Sequence, residues 1–194
     1  MRIPAPDPDE RGLILLALAR GSIAAAIGLP SRPVADDAPW LAAPGATFVT
    51  LHLDGDLRGC IGSTLARRAL RDDVRHNARA AAFSDPRFPS LTRAEYPAID
   101  LEVSLLTPPE PLLARTEAEA LRELVPGRDG VILELGQQAA TFLPQVWESL
   151  PGPADFLAQL KRKAGLAARS WSPEIRLFRY RVEKWEEAGG PTPP

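Results

Sequence analysis

The feature that most constrains this chain is a predicted β-hairpin. Two stretches rich in strand-forming side chains, residues 48–53 and 57–64, flank the sequence DGD at 54–56, which suits a tight chain reversal. With a three-residue loop, Leu53 pairs with Leu57 and the apolar side chains of both strands share one face. With a two-residue loop, the two strands disagree about which face is apolar. Because a buried face fixes the register strongly, we predict the three-residue loop.

The predicted register places Thr50, His52, Arg58 and Cys60 together on the polar face of the hairpin. A cysteine reacts as its thiolate, and a neighbouring cation lowers the pKa of the thiol. Cys60 and Arg58 are therefore the candidate catalytic residues, and Arg58 is also suited to bind an anionic group of a substrate. The same position suits a free cysteine that packs as a small buried hydrophobic residue, so both interpretations stay open.

Two glycines surround the candidate nucleophile. Gly59 and Gly62 lie on either side of Cys60 and carry no side chain, so a ligand or another stretch of backbone can approach closely. We therefore include both glycines among the candidate substrate-binding residues.

The segment 99–106 alternates apolar and polar residues, as a half-buried strand does. Glu102 and Ser104 then share its polar face. If this strand joins the sheet of the hairpin, Glu102 forms a charge-assisted pair with Arg58. Glu102 and Ser104 are thus candidate substrate-binding residues, with an ordinary solvated strand face as the alternative.

Cys60 is the only cysteine of the 194-residue chain, which has two histidines, His52 and His76. An internal disulfide and a cysteine-rich zinc site are therefore excluded, and we predict no metal and no cofactor. The absence of disulfides suits a reducing compartment, so we expect a cytoplasmic protein.

The charge pattern argues against nucleic acid and membrane partners. The chain carries 23 basic and 25 acidic residues, interspersed, whereas nucleic-acid-binding domains show a basic face or stripe. The apolar stretch 13–29 follows acidic residues and contains Arg20 in its middle. A signal sequence has a basic flank, and a charge at bilayer depth is costly, so this stretch is predicted to be an internal helix.

The remaining segments mix helices and strands without a regular βαβ alternation, which favours an antiparallel α+β fold. The predicted elements are helices at 9–28, 67–83, 116–125 and 153–164, a second hairpin at 131–135 and 139–143, and a closing strand at 175–183. Asp85 and Arg87 lie in a rigid turn, 85–89, that contains two prolines, and we interpret them as locking that turn by capping and ion pairing.

Five ordered sequence blocks carry a family resemblance. The first is LRGCIG at 57–62. The others are AAFSDPRF at 81–88, EVSL at 102–105, TFLPQVW at 141–147 and KAGL at 163–166. With these blocks the chain resembles the AMMECR domain family, known as protein A of the AmmeMemoRadiSam system.

The resemblance implies an α+β fold of two unequal lobes, each with an antiparallel sheet and flanking helices, and a cleft between them that the first block faces. Here the larger lobe is expected at about 9–107 plus 170–187, and the smaller lobe at about 108–169. The family-matched Thr141 is a further candidate substrate-binding residue. The resemblance also implies a Memo-type protein and a radical S-adenosylmethionine protein as partners.

Resemblance to this family implies a site but no particular reaction. The first hypothesis is an enzyme, or an enzyme component, that uses thiol chemistry at Cys60 with Arg58 as substrate binder. The second is a non-catalytic binding or carrier module that presents a substrate or peptide to a radical S-adenosylmethionine or Memo-type partner. The third is a redox sensor, which requires an exposed thiol and an intermolecular partner.

Overall fold

The computed structural model describes residues 7–31 and 33–187. Its elements, in chain order, are α1 (Pro8–Ala26), α2 (Pro39–Ala42), β1 (Pro44–Gly45), β2 (Thr47–Leu53), β3 (Asp56–Gly62), β4 (Arg68–Ala69), α3 (Leu70–Phe83), a 3-10 turn (Tyr96–Ala98), β5 (Ile99–Leu106), β6 (Glu110–Leu112), α4 (Glu117–Glu123), β7 (Gly130–Leu135), β8 (Gln138–Phe142), a second 3-10 turn (Pro144–Glu148), α5 (Pro153–Lys163), β9 (Arg176–Tyr180) and β10 (Val182–Glu186).

Two compact units share these elements. The first covers the described parts of Met1–Leu106 and Glu183–Pro194, and the second covers Thr107–Val182. At the boundary of the second unit, the backbone N–H of Thr107 donates to the carbonyl of Arg181 at 2.8 Å, and the N–H of Arg181 donates to Thr107 Oγ1 at 2.9 Å. The second unit therefore begins and ends at neighbouring residues.

The first helix begins where the sequence supplies a cap. The Asp7 side chain accepts a hydrogen bond from the N–H of Asp9 at 2.9 Å, and Pro8 occupies the first turn, where its missing N–H costs nothing. Beyond the last turn, Gly28 has a φ of +69° and ends the helix. The predicted internal helix is thus confirmed. No helix in the described part of the chain is long and apolar enough to cross a bilayer.

The first unit is built on an antiparallel sheet with strand order β10-β5-β2-β3. As predicted, Leu51 pairs with Gly59 and the 99–106 strand pairs with the hairpin. The prediction of a three-residue loop is wrong, because Leu53 pairs with Asp56 and the loop is Asp54–Gly55. Both loop residues have positive φ, as a two-residue hairpin turn requires. A bulge at Arg58 absorbs the extra residue and restores the apolar register beyond it.

Helix α3 is fastened to this sheet by one buried carboxylate. Asp73 is fully buried, and its oxygens accept hydrogen bonds from five donors. These are the N–H and hydroxyl of Thr47 (both 2.9 Å), the Ser63 hydroxyl (2.7 Å), the Asn77 amide (2.9 Å) and the Arg68 guanidinium (3.2 Å). Such a network is stabilising only when every member is satisfied, so α3 is held in one position on the sheet.

The second unit contains its own antiparallel sheet, in the order β6-β9-β7-β8, backed by α5. Its core includes a stacked pair, Trp147 and Phe156, with ring centroids 3.7 Å apart. A fully buried lysine, Lys161, donates to Glu117 Oε1 at 2.7 Å and to the Ser170 carbonyl at 3.1 Å. The unit is therefore held together by apolar packing and by the ion pair of the buried Lys161 with Glu117.

The α+β prediction and the second hairpin are confirmed. The predicted closing strand is two strands, because the chain leaves the second sheet after Tyr180 and enters the first at Val182. β9 consequently belongs to the second sheet, whereas the family resemblance led us to expect residues from about 170 onward in the larger lobe.

Candidate functional site

A row of polar side chains crosses the first sheet at the level of the cysteine. Thr50 on β2 is paired with Cys60 on β3 and with Glu102 on β5. The Thr50 hydroxyl donates to Cys60 Sγ at 3.3 Å. On the far side, Lys184 of β10 places its Nζ 2.7 Å from Glu102 Oε2. The half-buried thiol therefore lies at one end of a row that ends in an ion pair.

The backbone of Cys60 is held from the open edge of the sheet. Its N–H donates to Asp85 Oδ2 at 2.9 Å, and its carbonyl accepts from Arg87 Nη2 at 3.2 Å. β3 is an edge strand, and unpaired edge groups invite the addition of another strand. The Asp85–Arg87 pair thus occupies the backbone groups of Cys60 that a neighbouring strand would otherwise use.

Asp85 and Arg87 also bind each other through two contacts. Arg87 Nε donates to Asp85 Oδ1 at 2.9 Å, and Nη2 donates to Oδ2 at 2.7 Å. The Asp85 side chain is only 2% exposed, and the hydrogen bond from Arg87, followed by that from the Cys60 N–H, holds its pKa far below the usual range despite burial. The predicted ion-paired turn is confirmed. Its hold on Cys60 was not predicted, because the contact spans 25 residues.

Arg58 does not make the predicted pair with Glu102. Its Nε donates to Glu95 Oε1 at 2.9 Å, while Glu102 binds Lys184. The hydrogen bond from Arg58, with those from Thr92, lowers the pKa of Glu95 to about 2. The bulge explains the difference, because alternation of side chains between the faces is interrupted at Arg58 and the argument that placed it beside Cys60 no longer applies.

The Arg58 side chain is about nine-tenths buried, and its Nη1 has no hydrogen-bond partner within residues 7–31 and 33–187. A buried guanidinium nitrogen without an acceptor is costly, and such a group calls for an explanation in water, an ion or a ligand. Arg58 is therefore anchored at one end and unsatisfied at the other.

The two glycines of the motif make room for the protein's own atoms. A Cβ on Gly59 would lie 2.2 Å from the carbonyl oxygen of Ala81 in α3, and a Cβ on Gly62 would lie 2.2 Å from the Phe48 ring. Gly59 thus allows α3 to approach the strand, and Gly62 allows an aromatic ring to cover it.

Glu102 and Ser104 lie on one face of β5, as predicted, opposite Thr50 and Phe48. The Ser104 hydroxyl donates to Glu102 Oε1 at 3.3 Å, and Ser104 itself is buried. The Glu102 side chain is 12% exposed. Glu102 is therefore a partly accessible carboxylate with two fixed partners.

Thr141 belongs to the second unit. Its hydroxyl lies 3.1 Å from the hydroxyl of Tyr180, and its carbonyl accepts from Lys163 Nζ at 2.9 Å. Burial raises the pKa of Tyr180, so its phenol stays protonated and can donate to the Phe142 carbonyl, which lies 3.1 Å away. Thr141 is thus part of a hydrogen-bonded cluster at the edge strand β8.

In the part of the chain that the structure describes, no three or more His, Cys, Asp or Glu side chains are grouped so as to hold a metal ion.

The sequence is similar to a family model and to proteins of other organisms. The AMMECR1 family model matches residues 16–185. A protein of Methanothermobacter thermautotrophicus is 36% identical over 193 residues, which cover 95% of this chain and 98% of that protein. A protein of Thermococcus gammatolerans is 38% identical over 192 residues, which cover 92% and 91%.

Among solved structures, the crystal structure of uncharacterized protein PH0010 from Pyrococcus horikoshii is similar, with a TM-score of 0.72 and 33% identity. The match covers 95% of each chain. The family model matches most of the chain, including the LRGCIG motif and the Asp85–Arg87 turn. The chain belongs to the AMMECR1 family.

Proposed function

We propose that this protein acts through Cys60, whose thiol captures an electrophilic small molecule on the polar face of the first sheet. The observation that carries the proposal is the fixed position of a half-buried cysteine. Its thiol accepts a hydrogen bond from Thr50, and its backbone N–H and carbonyl are held at the sheet edge by Asp85 and Arg87. Capture of this kind serves an enzyme and a carrier equally.

In the proposed step the thiol first releases its proton to solvent. The sulfur electron pair then forms a bond to an electrophilic carbon, for which a carbonyl carbon is the simplest case. The π electron pair of the carbonyl moves to its oxygen, which takes a proton from water. The step is reversible and needs no oxidant or reductant. A hydroxyl that donates to sulfur favours the thiolate, which is the role assigned to Thr50.

Arg58 has a supporting part in this proposal. Its ion pair with Glu95 fixes the bulge within the motif, and its buried, unsatisfied Nη1 can bind water or a ligand oxygen that enters the unit. A thiol of this kind requires a reducing compartment, so we also propose a cytoplasmic location.

Native alkylation tests the proposal. We expect iodoacetamide to modify Cys60 in the folded protein near pH 7.5 at a rate at least equal to that of the same protein in denaturant, as an accessible and activated thiol does. Mass spectrometry identifies the site, and Cys60→Ser is the blank. Labelling that occurs only after denaturation would show that the thiol is a packing residue and would remove the proposal.

A second candidate function is a binding module for a Memo-type or a radical S-adenosylmethionine protein. The specific observation in its favour is that two leucines are exposed, Leu57 at the start of the motif by 41% and Leu65, three residues after its end, by 48%. Leu57 and Leu65 lie near the two ends of the edge strand β3, where a partner docked along this edge would cover both side chains.

Co-purification with each partner class tests this candidate. The variant Leu57→Ser/Leu65→Ser should lose at least about tenfold in affinity, as central apolar anchors of an interface do. Cys60→Ser should bind as the wild type does, whereas a change at Arg58 should weaken binding through the bulge that positions Leu57. Equal binding by the double variant and the wild type would speak against docking at these leucines.

A further inference from the structure

We infer that Arg87, and not Arg58, receives an anionic group of the captured molecule, so that the ligand class is an electrophile carrying a carboxylate. The inference rests on the proposed capture at Cys60 and deepens it. It follows from which donors of the two arginines are already used, and from which of the two side chains a ligand can reach.

Arg87 keeps two of its five guanidinium donors free. Nε donates to Asp85 Oδ1, and the two hydrogens of Nη2 serve Asp85 Oδ2 and the Cys60 carbonyl. Nη1 has no hydrogen-bond partner among the residues that the structure describes, and the side chain is 54% exposed. A ligand oxygen can therefore approach Nη1 from solvent without displacing any protein contact.

The guanidinium is also held in place before a ligand arrives. Its partner Asp85 is almost completely buried and is fixed in turn by the N–H of Cys60. Holding a charged side chain in its binding geometry removes the entropy cost of ordering it on binding. Because Asp85 binds both the backbone of Cys60 and the guanidinium of Arg87, it sets the distance between nucleophile and cation.

Arg58 is less suited to the same task. Its Nε and Nη2 are engaged by Glu95, at 2.9 and 3.4 Å, and its side chain is only 10% exposed. A ligand would have to enter the interior of the unit to reach Nη1. Arg87, in contrast, contacts the carbonyl of Cys60 itself. The pKa of the Arg87 guanidinium is raised, mainly by its hydrogen bond to Asp85 and to a smaller extent by its electrostatic interaction with Cys60.

The charge selectivity of alkylation tests the inference. Iodoacetate and iodoacetamide displace iodide by the same sulfur attack, but only iodoacetate carries a carboxylate. In the wild type, the rate ratio of iodoacetate to iodoacetamide should exceed that in Arg87→Gln by about fivefold, the effect of one nearby charge in a partly solvated site. The difference should shrink as the salt concentration rises.

Two further variants make the result specific. Arg87→Lys keeps the charge and should retain most of the ratio even if its packing is altered. Arg79→Gln removes one exposed arginine from α3 and should leave the ratio unchanged. A purely structural role of Arg87 would change both rates by the same factor and leave their ratio constant, and that outcome would overturn the inference.

Failure of the proposed function has a different signature. If Cys60 does not react with either reagent in the folded wild type, capture at the thiol is wrong. If the thiol reacts with both reagents and the ratio is the same in the wild type and in Arg87→Gln, capture stands and the carboxylate preference is wrong.

Discussion

The two units bind the unpaired backbone groups of an edge strand in different ways. Each has a four-stranded antiparallel sheet whose hairpin contributes an edge strand, β3 in the first unit and β8 in the second. In both, a basic side chain donates to a carbonyl of that edge, Arg87 to Cys60 and Lys163 to Thr141. The first unit adds a buried carboxylate that accepts the edge N–H as well.

The two units also differ in what their buried charged side chains bind. In the second unit, the buried charge of Lys161 joins α5 to Glu117 and to the Ser170 carbonyl. In the first unit, the buried carboxylate Asp85 accepts a hydrogen bond from the backbone N–H of Cys60, the residue proposed to act as nucleophile. A functional site requires that its residues are held in place by hydrogen bonds from buried polar groups as well as by packing.

The largest expected effect separates the buried networks of the two units. In Asp73→Asn, an NH2 group replaces one of the two acceptor oxygens and faces hydrogen-bond donors. We therefore expect a loss of about 4 kcal/mol in the free energy of unfolding. Lys161→Met should cost about 1 kcal/mol, because Glu117 is 30% exposed and regains water. Urea denaturation measures both. Equal losses would erase the contrast between the units.

The second-largest expected loss of stability comes from the close approach of α3 to β3 at Gly59. Gly59→Ala should destabilise the protein by about 3 kcal/mol, since the backbone carbonyl of Ala81 cannot move away without shifting α3. The matched change Gly21→Ala, in the interior of α1 with its nearest atom at 3.7 Å, should stabilise by about 0.5 kcal/mol. Thermal unfolding gives both signs, and a neutral Gly59→Ala would contradict the role assigned to Gly59.

The contacts of Arg87 with β3 and of Lys163 with β8 are compared by replacing each basic side chain. Arg87→Met should cost about 2 kcal/mol, because the buried Asp85 carboxylate loses its charged partner. Lys163→Met should cost about 0.5 kcal/mol, because Lys163 is exposed and its acceptor can bind water. Urea midpoints of the two variants measured side by side decide the matter, and a reversed order would show that the first edge is not the more strongly held.

The smallest effect is a pH dependence confined to the first unit. The pKa of Glu95 is lowered from 4.5 to about 2, so its stabilising contribution is complete above pH 4.5 and disappears as the pH falls through about 2. Glu95→Gln should therefore be less stable than the wild type at pH 7, and the gap should narrow by pH 3. A gap that stays constant between these values would exclude the Arg58–Glu95 pair as its source.

The sequence predicted the elements of the first sheet better than the geometry of its site. Alternation of apolar residues was enough to pair Leu51 with Gly59 and to bring the 99–106 strand to the hairpin. Alternation fails at a bulge, and the preference of Asp54–Gly55 for a two-residue turn was outweighed in the prediction by the apolar pattern, although the structure satisfies both.

The contacts that define the site could not be read from local patterns. Arg58 reaches a carboxylate 37 residues away, and Cys60 reaches one 25 residues away. These pairings depend on how α3 and the following turn pack on the sheet, which periodicity does not specify. The signal that was present was chemical, since an acid and a base two residues apart in a turn with two prolines already indicated a rigid ion pair at Asp85 and Arg87.

The hydrogen bonds that join Thr107 to Arg181 have an architectural consequence. Because entry and exit points of residues 107–182 are adjacent, this stretch has the connectivity of an insert spliced into a complete host domain. A shortened chain that links Leu106 to Glu183 through a few glycines would retain every strand beside Cys60, and the proposed capture at this thiol could then be tested in the host alone.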